Sequence, residues 1–257
     1  MHILVCIKSV VMSAPKGKIS RAPDNSILNP FDRPVIEMAL RLKEAHGGVI
    51  TALSMGPQTA EAALREAVAM GVDRAVLLCD RAFAGADTLA TARVLAAAAR
   101  HLAPFDLLLF GVQTADSDTG QVGPQTAVFL DLPLVTHVTR ISAENDGITV
   151  ERQMDGFLEA YALTLPAALT LHPAAVQPRD AALGALGTAF DPVHPITRLN
   201  IADIGLDPKQ AGVFGSPTRV LSMKPVKKQR VCQWIEGDPT AQAEILTEKL
   251  VKAGLVA

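Results

Sequence analysis

Short apolar runs alternate with segments of helical period through the first half of the chain, and turn residues mark each junction. Ile3-Leu4-Val5-Cys6-Ile7 is continuously apolar, as in a central parallel strand buried on both faces. A polar, proline-containing stretch follows over residues 13–26. Asn29-Pro30-Phe31-Asp32 then introduces a helix to about Ala45, with Asp32 as candidate N-cap and Pro34 in the first turn. Gly47-Gly48 ends it. Residues 49–55 form the next strand, closed by Gly56-Pro57, and the alanine-rich residues 59–70 the next helix, with Thr59 capping and Gly71 stopping it. The alternation continues with a strand at 75–79, a helix at 87–102, a strand at 105–110 and a helix reaching about Leu130. Strands and helices of these lengths predict right-handed crossovers and an α/β fold, a Rossmann-like doubly wound parallel sheet.

The pattern changes after Leu132. Residues 134–141, 148–154 and 157–165 read as strands, with Asp155-Gly156 as a hairpin turn, and 169–172 continue that sheet. From Pro173 to about Arg219 the chain is rich in Pro, Gly and Ala with little periodicity, as in an arm that contacts something else. An amphipathic helix starts from Asp238. The expected organisation is an α/β nucleotide-binding domain over residues 1–172 and an extended arm with a C-terminal helix over 173–257.

Candidate chemistry concentrates between the strand at 105–110 and the helix after it: Gly111-Val112-Gln113-Thr114-Ala115-Asp116-Ser117-Asp118-Thr119-Gly120-Gln121-Val122-Gly123-Pro124-Gln125. A small, hydroxyl-rich turn between strand and helix offers free backbone N–H groups and a positive helix end to a phosphate. Gly120 and Gly123 allow close approach, while Thr119 and Gln121 add side-chain hydrogen bonds. Neither the Walker lysine nor GxGxxG spacing is present, and an ordinary helix cap has the same composition. Ligands of doubly wound sheets bind beyond the carboxyl ends of the strands, so the segments 6–11, 54–57, 80–87 and 111–123 should border one crevice.

Bulk properties narrow the classes. Hydrophobic residues make up 49% and charged ones 19%, which excludes a disordered chain. Aromatics at 4% leave a core of Ala, Leu and Val. A formal charge of -2 argues against nucleic acid as the partner. No apolar run has membrane-span length and the start lacks a signal-peptide layout, so a cytoplasmic location without membrane insertion is expected. The three cysteines Cys6, Cys79 and Cys232 are far apart and read as reduced residues.

Several motifs in order resemble the β subunit of electron transfer flavoproteins over almost the whole chain. They are residues 4–8, Asn29-Pro30-Phe31-Asp32, the helix at 39–44, Ser54-Met55-Gly56-Pro57 and Ala69-Met70-Gly71-Val72-Asp73-Arg74. Residues 111–125, Asp155-Gly156-Phe157-Leu158-Glu159, Leu165-Pro166 and Gln177-Pro178-Arg179 complete the series. The resemblance implies a heterodimer with an α subunit that holds a redox FAD and is clamped by this chain. It also implies a second adenine nucleotide in the crevice here, AMP in most members and a second FAD in the electron-bifurcating branch. Carried over by motif, the cofactor-binding residues are Cys6, Asn29, Pro30, Phe31, Asp32, Met55, Asp87, Thr88, Gln113, Asp116, Asp118, Thr119, Gly120, Gln121, Val122 and Gly123. No catalytic side chain and no metal are implied. The family's anchor on dehydrogenase partners matches Leu183.

Asp80 to Thr91 and Asp118 to Pro124 are similar to the FAD-type members. Ser9-Val10-Val11-Met12-Ser13, Val112 in place of an arginine, Gly120 in place of an alanine, and Asp180 in place of a tyrosine depart from the bifurcating pattern. They count against bifurcation with NADH and leave nucleotide binding intact. Simpler readings stand beside these: Asp116 and Asp118 as caps, His137 and His172 as strand residues, and the basic run 224–230 as a solvated turn or a contact to an acidic face. A stand-alone nucleotide-binding sensor of the universal-stress type is the alternative function.

Overall fold

The computed structural model describes residues 1–11, 26–144, 147–191, 196–222 and 232–256. The basic run 224–230 and most of the polar stretch after residue 12 lie outside the described residues. The chain divides into two compact units, Met1–Leu221 and Ser222–Ala257. The segment from Pro173 to Leu221, expected in the arm, is part of the first unit.

In chain order the first unit holds β1 (His2–Cys6), β2 (Ser9–Val11), β3 (Ser26–Leu28), α1 (Arg33–His46), β4 (Val49–Met55), α2 (Glu61–Met70), β5 (Arg74–Leu78), α3 (Thr88–His101), β6 (Leu107–Gly111) and α4 (Val122–Leu130). It continues with β7 (Leu134–Glu144), β8 (Gly147–Met154), β9 (Phe157–Leu163), β10 (Ala167–Leu171), α5 (Leu183–Ala189), β11 (Thr197–Leu199) and α6 (Gly212–Gly215). A nine-stranded sheet has the order β11-β5-β4-β1-β6-β10-β7-β8-β9, and β2 and β3 form a separate antiparallel pair. Pairing is parallel from β11 to β7 and antiparallel from β7 to β9.

Strand alternation divides the core between the two faces of this sheet. Ile3, Val5, Ile50, Leu77, Leu107 and Leu109 share one cluster with α1 and α2. Leu4, Cys6, Leu53, Leu78, Leu108 and Phe110 share the other with α3 and α4. The doubly wound architecture read from the sequence is therefore present, with an added antiparallel edge.

Three local expectations are corrected. β10 continues the sheet of the hairpin strands by pairing with β7, but it inserts between β6 and β7 and runs parallel to both. All its residues are buried, as a strand covered on both faces requires. The stretch after Pro173 is not without elements, because β11 pairs with β5 at the far edge of the sheet. The first turn over Gln58–Ala60 is a 3-10 helix, so α2 begins at Glu61 without a side-chain cap.

The second unit contains α7 (Pro239–Lys252), capped by the Asp238 carboxylate, which accepts from the Thr240 and Ala241 N–H groups. No residue of α7 is buried, and Trp234 in the same unit is 91% exposed.

Candidate functional site

From β1 the sheet extends one way through β4 and β5 and the other way through β6. The crevice at such a switch point opens beyond the carboxyl ends of β1 and β6. Here those ends are Cys6 and Gly111, in parallel strands whose register places Cys6 opposite Phe110.

Asp32 lies at this point, 3% exposed; it holds the N-cap position of α1 as expected, but its side chain makes no capping hydrogen bond. Its carboxylate turns toward β1, where Oδ2 accepts from the Lys8 N–H at 2.7 Å and Oδ1 from Asn29 Nδ2 at 3.0 Å. Asn29, fully buried, also donates through Nδ2 to the Gln113 carbonyl at 3.0 Å, and its Oδ1 accepts from the Ala115 N–H at 3.2 Å. The Lys8 ammonium reaches the same loop, donating to Asp116 Oδ1 at 2.7 Å and Ser117 Oγ at 3.1 Å. Gly111 is glycine because a Cβ there would lie 2.5 Å from Asp32 Oδ1 and 2.9 Å from the Phe31 carbonyl.

Burial pushes the Asp32 carboxyl up to about 7, against the Lys8 N–H, the Asn29 amide and the Lys8 charge; the Asp116 charge adds to the rise. Burial, and then the nearby Asp32, push the Cys6 thiol far up, so it stays protonated and is no nucleophile. Partial burial also raises the Asp116 carboxyl, but hydrogen bonds and charge from Lys8, with Thr114 and Ser117, outweigh it and hold the group below its usual range.

The loop beyond Ala115 turns through two left-handed residues, Asp118 at φ 49° and Gly120 at φ 63°. The Asp118 N–H donates to the Thr114 carbonyl at 3.0 Å. Gly123, in the first turn of α4, packs so closely on Phe110 and Thr170 that a Cβ would lie 3.0 and 3.1 Å from them. That contact seats the N-terminus of α4, whose first-turn N–H groups have no partner within the helix.

A cavity of about 410 Å³ opens beside this loop, lined by Val112, Gln113, Asp118, Thr119, Gly120, Thr136, His137 and Thr170. Four expected residues, Gln113, Asp118, Thr119 and Gly120, thus share one wall. The opposite wall was missed. Thr170, next to last in β10, lies beside Phe110, and His137 interrupts β7 in a left-handed conformation at φ 58°. The His137 N–H donates to Thr170 Oγ1 at 3.1 Å, where the β7–β10 register shifts. The run around His137 reads as plain strand, so nothing local marks its left-handed turn, although His is among the residues that tolerate one; Thr170 required knowing that β10 inserts next to β6.

The other expected residues lie around the same end of the sheet or are engaged elsewhere. Cys6 is buried at the end of β1, and Met55 is half-buried at the end of β4. Pro30 is exposed and Phe31 half-buried before α1, and Gln121 and Val122 open α4. Asp87 caps α3 by accepting from the Ala90 N–H, and its other oxygen accepts from the Thr218 N–H and hydroxyl. Thr88 begins α3.

Leu183 starts α5 and is 88% exposed. Its segment is fixed from behind. Arg179 donates to the buried Glu37 at 2.7 Å and to Glu44 at 2.7 Å, while Arg65 donates to the Ala189 carbonyl at 2.6 Å.

A family model described as the electron transfer flavoprotein domain matches residues 16–193. The electron transfer flavoprotein subunit beta of Thermoanaerobacterium thermosaccharolyticum is 39% identical over 256 residues, covering 97% of this chain and 98% of that protein. Subunit CarD of the caffeyl-CoA reductase-Etf complex of Acetobacterium woodii is 43% identical over 227 residues, 86% of each chain. Protein FixA of Azotobacter vinelandii is 38% identical over 267 residues, covering 97% of this chain and 94% of that protein.

Proposed function

The chain belongs to the electron transfer flavoprotein family, on its β-subunit side, and from that premise we propose that it binds an adenine nucleotide in the switch-point crevice and pairs with an α subunit to carry electrons through FAD. The observation that carries this reading is the cavity walled by Gln113, Asp118, Thr119 and Gly120 beside the N-terminus of α4. Its donors suit a phosphate: the Thr119 hydroxyl, the Gln113 amide and the first-turn N–H groups of α4. Gly120 keeps the approach clear at a turn whose Cβ position lies 3.1 Å from the Val112 carbonyl. The residues therefore fit the group.

Flavin, when bound, supplies the electron-transfer chemistry. This chain's part is to bind, orient and shield. Cys6 is held protonated and Asp116 is paired with Lys8, so neither acts as nucleophile or base. Cys6, Met55 and Thr88 are assigned to the nucleoside end; Asp87, whose two oxygens are taken by the α3 cap and by Thr218, is assigned to shaping that end without touching the ligand. Val122 and Gly123 are assigned to the phosphate.

Exposed apolar surface supports the α-subunit partner. β9 is the last strand of the sheet, and its Phe157 and Leu158 are 70% and 72% exposed. An apolar edge strand of this kind is a liability for a chain that works alone. This surface, and a relative that matches along nearly its whole length and bears an electron-transfer name, weigh against the stand-alone sensor. Leu183 is assigned to a dehydrogenase or other redox partner.

The test is to co-express the chain with its α partner, release bound ligands with acid, and quantify FAD and AMP per complex. Nucleotide beyond a single FAD supports the crevice as a binding site. Two FAD make NADH-driven bifurcation the next experiment, and one FAD with one AMP makes the crevice ligand structural. A complex with one FAD and no other nucleotide overturns the reading.

A further inference from the structure

We propose that Asn29, Asp32, Lys8 and Asp116 form a closed ring that fixes the 113–117 loop against the end of β1, so that Asn29 and Asp32 are positioning residues for the ligand and do not contact it through their side chains. The inference rests on the nucleotide reading of the crevice and assigns a role within it.

The ring can be followed bond by bond. The Lys8 N–H, just after β1, donates to Asp32. Asp32 accepts from Asn29, and Asn29 joins the Gln113 carbonyl and the Ala115 N–H. Asp116, next along the loop, accepts from the Lys8 ammonium and returns the path to the residue where it began. A backbone bond from the Asp32 N–H to the Asn29 carbonyl, 2.9 Å, braces the inner side.

The Asn29 side chain is fully buried and has no donor left for a ligand. Both its amide hydrogens are used, one by Asp32 and one by Gln113, and its oxygen holds Ala115. Each Asp32 oxygen already faces a donor, and the residue is 3% exposed. Neither residue lines the cavity, whereas Gln113 and Asp118, on either side of the held loop, do. A shift of the loop would therefore move one wall of the cavity without touching its opposite wall at Thr136, His137 and Thr170.

Lys8 and Asp116 form the outer half of the ring, with side chains 31% and 19% exposed. Substituting them breaks the ring without opening the core. The experiment uses the complex with the α subunit and compares Lys8→Met, Lys8→Arg, Asp116→Asn and Asn29→Ala with the wild type. Hydrogen exchange of the peptide spanning residues 113–118 is measured, together with the dissociation rate of the nucleotide the complex retains, AMP or FAD, and the melting temperature.

Lys8→Met and Asp116→Asn are expected to speed exchange of the loop and nucleotide release by roughly tenfold with little change in melting temperature. Lys8→Arg should restore both. Asn29→Ala should do more of the same, with the Ala115 amide among those exposed. Faster nucleotide release from Asn29→Ala with unchanged loop exchange would mean direct ligand contact and overturn the proposal. Unchanged exchange in both Lys8→Met and Asp116→Asn would overturn it as well. A wild-type complex holding no nucleotide in the crevice sinks the functional reading alone, because loop exchange still decides whether the ring exists.

Discussion

Asp32 Oδ1 occupies the space that a Cβ on Gly111 would need, 2.5 Å from that position. The end of β6 and the residue before α1 are thus in contact through an atom that also accepts from Asn29. Gly111→Ala must displace either this carboxylate or the Phe31 carbonyl, 2.9 Å away. The expected cost is about 1–3 kcal/mol, the range for overpacking a filled interior. Chemical denaturation should report it, together with reduced nucleotide content in the purified complex. An unchanged denaturation midpoint would show that the contact yields freely.

Asp32 should also leave a mark on pH dependence. Burial raises its carboxyl from 3.8 to about 7 in the folded chain, with Lys8 and Asn29 opposing the rise. The folded state then keeps a proton that the unfolded chain gives up between those values. This group's contribution is greatest below its unfolded value and is lost as pH rises toward 7. Asp32→Asn abolishes the titration while setting two donors face to face, so its absolute stability falls. Its pH slope carries the information. Between pH about 4 and 7 the wild type should lose ground relative to Asp32→Asn, by at most about 1.4 kcal/mol per pH unit. Parallel stability curves for the two proteins would place the carboxyl's titration elsewhere.

Arg179→Ala tests the support behind Leu183. Burial raises the Glu37 carboxyl, but hydrogen bonds from Arg179 and Arg41 outweigh it and hold the group below its usual range. Removing Arg179 leaves the buried Glu37 with Arg41 alone on its i+4 side. The cost should be about 1–3 kcal/mol, less than for a fully buried pair because the Arg179 side chain is 40% exposed. Leu183→Ala, by contrast, should leave the melting temperature unchanged while weakening association with the redox partner, measured by surface plasmon resonance. Equal affinity of Leu183→Ala and wild type would remove Leu183 from the interface.

Asp87→Ala separates helix capping from ligand contact. The variant loses the α3 cap and the tie to Thr218, at an expected cost of about 0.5–2 kcal/mol. If the carboxylate is fully engaged there, AMP or FAD content per complex stays at the wild-type level. Loss of nucleotide in a variant that still folds would return Asp87 to the ligand shell.

Most of the central sheet was legible from local pattern. Continuous apolar runs such as Leu107–Gly111 can be buried only on both faces, and that forces helices onto each side. The glycine-containing loop before α4 was equally legible, because strand, turn and helix follow one another directly. Gln113, Asp118, Thr119 and Gly120 came from that stretch and do line the cavity. Asp32 sits at the N-cap position read for it, but its carboxylate does not bond the helix. Its actual partner, the Lys8 N–H, lies 24 residues earlier.

Periodicity and turn chemistry act over a few residues, so the chain alone determined most strands and helices before Pro173, the faces they bury and where a phosphate-binding turn would sit. Its ordered motifs also determined the family. Strand order is a long-range property, decided by which apolar edges meet during collapse, and only the tertiary structure could insert β10 between β6 and β7 and so bring Thr170 and His137 to the cavity. The ring through Lys8, Asn29, Asp32 and Asp116 has the same origin. Its members span more than a hundred positions (Lys8 and Asp116 are separated by 108), and burial removes water as an alternative partner for the inner two, so they must bond to one another.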